Sequence, residues 1–168
     1  MGSKIEKYVK WFLNLLEITR WVCVFVGFQW ALNMTGTPIN KFSVLCLWVV
    51  VPLTGFTGME SVFFGRVASK QTGYGEGGAY QRQSGLNNIA IAVTTILIYV
   101  LEWGIYAKIA VMTVTLVFLT LSAINHIISG VFEGNTKLKN VLVRPVGIIL
   151  LLSLTLPFLY KVLIFIHK

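Results

Sequence analysis

Apolar positions along the 168-residue chain fall into five long runs, each close to what a helix needs to cross hydrocarbon (about 20 residues). The first covers about residues 8–34 and stops at Thr35-Gly36-Thr37-Pro38, where Gly and Pro end a helix. The second covers about 42–65 and contains Pro52, Gly55 and Gly58, which predict a kink near its middle. The third and fourth, about 85–101 and 105–132, are separated only by Glu102-Trp103-Gly104, so they should be antiparallel neighbours. The fifth covers about 141–166, with Pro157 in its last third. Residues 66–84 read as a connecting loop, Gly-rich at Thr72-Gly73-Tyr74-Gly75-Glu76-Gly77-Gly78. The pattern predicts an all-α fold, a polytopic transmembrane bundle of five helices forming one domain over 1–168.

Composition narrows the class. Hydrophobic residues make up 56% and charged residues 12%, against about 45–50% and about 25% in soluble domains. Too little polar surface remains to coat a globule in water, which excludes a soluble enzyme and a disordered chain. The net charge is +8, from 14 Lys and Arg against 6 acids, all of them Glu. Leaving out Arg20, nine basic residues flank one side of the spans (Lys4, Lys7, Lys10, Arg66, Lys70, Arg82, Lys137, Lys139, Arg144). Four flank the other (Lys41, Lys108, Lys161, Lys168). The positive-inside rule then predicts the N-terminus inside and the C-terminus outside. Topology and anionic lipid account for the basic excess, so no nucleic-acid partner is expected.

The start of the chain, basic and then apolar, is interrupted by Glu17 and Arg20 and reads as a retained first span rather than a cleaved signal. Met1-Gly2 begins like a myristoylation site, but Glu6 stands where Ser or Thr is needed. Cys23 and Cys46 form no CxxC pair and read as packing residues. His126 and His167 belong to opposite faces, so no two-His metal or haem site is expected within one chain, and no cofactor. The Gly-rich loop lacks the Lys-Ser/Thr ending of a phosphate-binding loop and reads as a lid. Gly55 with Gly58, and Gly130 with Gly134, are small-residue pairs suited to close helix contacts, including contacts between subunits.

The informative feature is where the polar residues sit. Span one carries Asn14, Glu17 and Arg20; span two carries Thr54, Thr57, Glu60 and Ser61; span three opens with Gln83, Asn87 and Asn88. Span four carries Ser122, Asn125, His126 and Ser129, and span five opens with Arg144-Pro145. With five alternating spans, all of these belong to one half of the membrane, the cytoplasmic half in the orientation above. Two readings stand side by side. The residues could be structural glue, hydrogen bonding between helices, with Glu17 and Arg20 pairing along their own helix. Alternatively they line a vestibule in which Arg20 and Arg144 attract a polar or anionic ligand. For any single Ser or Thr the structural reading prevails.

From Met59 to Pro157 the order of features resembles an uncharacterised group of small polytopic bacterial and archaeal membrane proteins, distantly similar to DoxX-like proteins. Val62-Phe63-Phe64 closes the second span and Tyr80-Gln81-x-Gln83-x-Gly85-x-x-Asn88 opens the third. Asn125-His126, Gly134-Asn135 and a proline-bearing fifth span follow. In that pattern an acid would stand at Gln83, a His beside Glu60 where this chain has Ser61, and an acid near Arg144. The resemblance implies a five-span bundle in a prokaryotic cytoplasmic membrane. It singles out Gln81, Gln83, Asn88, His126 and Asn135, and brings no activity.

The leading expectation is a non-enzymatic protein that binds or conducts a small polar or anionic solute, as a channel or transporter built from a homo-oligomer. The candidate residues are Arg20, Glu60, Gln81, Gln83, Asn87, Asn88, Asn125, His126, Asn135 and Arg144. The alternative is a membrane subunit or scaffold of a larger, redox-type complex. An enzyme acting on lipid comes third, because Glu60 and His126 are the only acid–base pair in view.

Overall fold

The computed structural model describes residues 3–75 and 77–168. Met1-Gly2, the myristoylation-like start, and Glu76 of the Gly-rich loop lie outside them. The described residues form six α-helices and no strand: α1 (Ser3–Asn33), α2 (Pro38–Phe63), α3 (Gly65–Thr72), α4 (Ala79–Val100), α5 (Ile105–Phe132) and α6 (Arg144–Ile166). A π-helical turn, Lys139–Val143, leads into α6. All except α3 are long and apolar enough to cross a membrane, five in number.

The second spanning helix forms the axis of the bundle. Phe42, Leu45, Cys46, Val49, Val50 and Leu53 repeat at three- and four-residue steps and are buried together. They meet Val24, Phe28 and Ala31 of α1, Ile98 of α4, Val111, Met112 and Leu116 of α5, and Leu151 and Val162 of α6. Half of the α2 span is buried, against 17% of the α6 span, so the outer helices turn apolar faces outward. In water such faces would drive aggregation; in hydrocarbon they are the solvated surface. Thr37 caps the start of α2 by accepting from the Asn40 amide at 3.3 Å, and Pro38 occupies the first turn.

Glycine sets the closest helix approach. A Cβ on Gly58 would lie 2.8 Å from the Gly85 carbonyl and 2.9 Å from the Ile89 nitrogen, so α2 and α4 touch backbone to backbone there. Gly55 faces Ala92 and Gly130 faces Val141. Gly58 and Gly130 thus make their close approaches within the chain.

The structure also corrects the expected connection over 66–84. Residues 65–72 form α3 and α4 begins at Ala79, which leaves a shorter Gly-rich turn. The short helix buries Val67 and Ala68 against Leu13 of α1 and exposes Arg66 and Lys70. Phe12 and Phe64 stack edge to face beside it, with ring centroids 5.5 Å apart.

Candidate functional site

Polar side chains from separate helices converge beside the middle of α1, near the end of α2 and at the start of α6. Arg20 on α1 donates from Nη2 to Glu60 Oε2 at 2.5 Å and from Nη1 to Thr57 Oγ1 at 2.9 Å, both on α2. The Arg20 and Glu60 side chains are only 14% and 16% exposed. A buried charge pair of this kind holds because removing either partner strands the other in a medium of low dielectric. Arg20 therefore reaches across to α2. Its Nε is buried and has no hydrogen-bond acceptor among the described residues.

Beside this pair, Arg144 at the start of α6 donates from Nη1 to His126 Nε2 on α5 at 2.5 Å. Tyr74 Oη lies 2.5 Å from His126 Nδ1, with the two rings 5.6 Å apart. A guanidinium can only donate, so Nε2 must offer a lone pair. The proton of a neutral imidazole then sits on Nδ1, which donates to Tyr74. Arg144 also lies within electrostatic range of the carboxylates of Glu60 and Glu17 and of the like charge on Arg20. Four helices and the α3–α4 turn thus contribute to one charged cluster.

The remaining candidates separate into two groups. Gln81 accepts from the Ser69 hydroxyl, tying the start of α4 to α3. Asn88 is 2% exposed and donates to the Ser84 carbonyl at 2.9 Å, with its Oδ1 unpaired. Asn135 donates to the Thr72 carbonyl at 3.0 Å, and Asn140 donates to the same carbonyl. Lys137 reaches the Lys70 carbonyl at 3.3 Å. These side chains cap the C-terminus of α3, whose last carbonyls have no helical donors, and so fix the turn that carries Tyr74. Gln83, Asn87 and Asn125 are exposed and make no hydrogen bond to the cluster among the described residues.

Tyr74 and Asn140 were not among the expected site residues. The signal for Tyr74 was present, a lone aromatic between Gly73 and Gly75 in a lid-like loop. Gly73 has φ +83°, and a Cβ there would overlap the Asn135 side chain, so this turn requires glycine. Asn140 gave no signal, because its partner carbonyl is 68 residues earlier. Intramembrane threonines 54, 95, 115, 120 and 155 each donate to the carbonyl four residues back and take no part in the cluster.

Five spanning helices with an ionisable cluster at one end define a multi-pass integral membrane protein. The chain belongs to a family of unknown function, DUF6790, whose model matches residues 11–168. No curated protein and no solved structure matches it.

Proposed function

We propose that this protein binds a small anionic or polar solute at the Arg20–Glu60–His126–Arg144 cluster, and that Tyr74 covers the site. One observation carries the reading: a half-buried guanidinium, Arg144, lies with Nη1 2.5 Å from His126 Nε2, which must accept from it. An anion carrying a carboxylate or phosphoryl oxygen is a stronger acceptor for that donor. When it takes Arg144 Nη1, His126 Nε2 is released and accepts a proton from the aqueous side. The bound anion and the added proton enter together, so the charge of the site is unchanged. The groups in contact with His126 are Arg144 on α6 and Tyr74 on the turn, while Glu60 on α2 and Glu17 and Arg20 on α1 lie within electrostatic range of Arg144. The unpaired Arg20 Nε is a second donor for the same ligand.

The excess of basic residues at this end supports a cytoplasmic site and N-terminus, and the resemblance to bacterial and archaeal proteins supports a prokaryotic cytoplasmic membrane. In this reading the apolar outward face of α6, 17% buried in its span, packs against a second copy of the chain, and a solute is conducted through the assembly. The same face would serve the second reading, a subunit of a larger complex of the kind the DoxX-like resemblance suggests.

The test is calorimetric titration of the purified protein with acetate, inorganic phosphate and chloride at two pH values, with flux measured in liposomes. Arg144→Gln should weaken binding of the preferred anion by about tenfold or more. His126→Gln should abolish proton uptake on binding. Unchanged affinity and flux in both variants would retire the proposal.

A further inference from the structure

At the other end of the bundle, α1, α2 and α6 enclose a cleft of about 450 Å³. Its walls are apolar and include Ala31, Leu154 and Phe158, while Lys41 and Lys161 also line it. Neither lysine side chain makes a hydrogen bond or ion pair among the described residues. Their neighbour at this end, Lys108, is engaged: it donates to Ser43 Oγ at 3.1 Å and lies 4.5 Å from the centre of the Tyr99 ring. No carboxylate lines the cleft.

A third feature lies deeper. Pro157 has no N–H to give the Ser153 carbonyl one turn earlier, and both residues line the cleft. The carbonyl is therefore left as an acceptor without its helical donor. From Lys161 near the membrane edge to Ser153 is eight residues of α6, about 12 Å along the axis. The cleft so grades from cationic at its mouth to apolar within the bilayer.

We infer that this cleft is a binding site for an anionic glycerophospholipid, with the phosphate between Lys41 and Lys161 and an acyl chain along Leu154, Pro157 and Phe158. Charge complementarity selects the headgroup and the apolar walls select the chain. A soluble anion satisfies only the lysines and leaves the apolar walls unfilled. The site is distinct from the Arg144 cluster, so either assignment can fail without the other.

Native mass spectrometry of the intact protein in mild detergent tests this, using phosphatidylglycerol and phosphatidylcholine with identical chains. The first lipid bound should be phosphatidylglycerol by a preference of about tenfold or more. The Lys41→Gln/Lys161→Gln double variant should lose that preference while its anion titration at the Arg144 cluster stays unchanged. Leu154→Trp alters an exposed side chain, fills the cleft and should reduce retention of both lipids. Inorganic phosphate should not displace the bound lipid. Equal retention of the two lipids by the unmodified protein would overturn the site. So would a preference that survives the double variant, or displacement by phosphate.

Discussion

The two ends of this bundle handle buried polarity differently. At the end where α2 finishes, each arginine meets an ionisable partner across helices: Arg20 with Glu60, and Arg144 with His126. At the end where α2 begins, a charged group is held by neutral ones. Lys108 donates to Ser43, Tyr99 donates to the Ser43 carbonyl, and Cys46 donates to the Lys108 carbonyl at 3.5 Å. The neutral network needs no counter-charge and leaves only one way to be satisfied. The charged network contains an unpaired Arg20 Nε and a histidine whose protonation depends on its partners. An arrangement with spare donors can exchange an internal acceptor for an external one; a fully committed one cannot. We therefore read the first end as the solute site, and the Lys108–Ser43–Tyr99 network as a latch set apart from Lys41 and Lys161 at the same end.

The largest expected effect separates the ends by stability. Glu60→Leu leaves Arg20 buried without its counter-ion and should cost about 3–5 kcal/mol in micelle unfolding titrations. Arg20→Met combined with Glu60→Leu should recover most of that loss. If the single variant is as stable as the parent, the pair is not buried as described.

A smaller effect tests the packing behind the charged end. Gly58→Ala would push a methyl against α4 backbone and should cost about 1–3 kcal/mol. Gly55→Ala meets only the Ala92 Cβ, at 3.6 Å, and should fold and unfold like the parent. Equal losses at both positions would place the close crossing elsewhere.

At the latch, Lys108→Met removes one hydrogen bond and should cost about 1 kcal/mol, with no change in anion affinity. A change in affinity would mean that the two ends are coupled. The smallest expected effect on stability is that of Tyr74→Phe, within about 0.5 kcal/mol because the ring is partly exposed. It removes the acceptor for His126 Nδ1–H, and anion titrations should show faster release.

Much of the architecture was legible because it rests on short-range patterns. The buried series from Phe42 to Leu53 follows helical spacing, and the Gly and Pro signals at 35–38 mark where α1 ends and α2 begins. The short helix α3 was not legible. Its composition is that of a polar connection, and only Leu13, far away in sequence, makes Val67 and Ala68 a buried face. The gathering of polar residues in one half followed from alternation of the spans, yet their partners did not. Arg20 finds Glu60 40 residues away, and Asn135 caps a helix rather than facing the cluster. Pairings of this kind depend on which helix faces pack together, which a single sequence does not encode at any fixed spacing. The lipid cleft lay outside the expected site for the same reason, since Lys41 and Lys161 are joined only by the packing of α2 and α6.

The central claim concerns the protonation state of one imidazole. Nitrogen-15 NMR of the protein labelled at histidine, with His167→Gln used to assign His126, reads both ring nitrogens directly. At neutral pH without added anion the account predicts a neutral ring with its proton on Nδ1, converting to imidazolium as the anion saturates. A ring already charged without anion, or one that stays neutral through saturation, would contradict it.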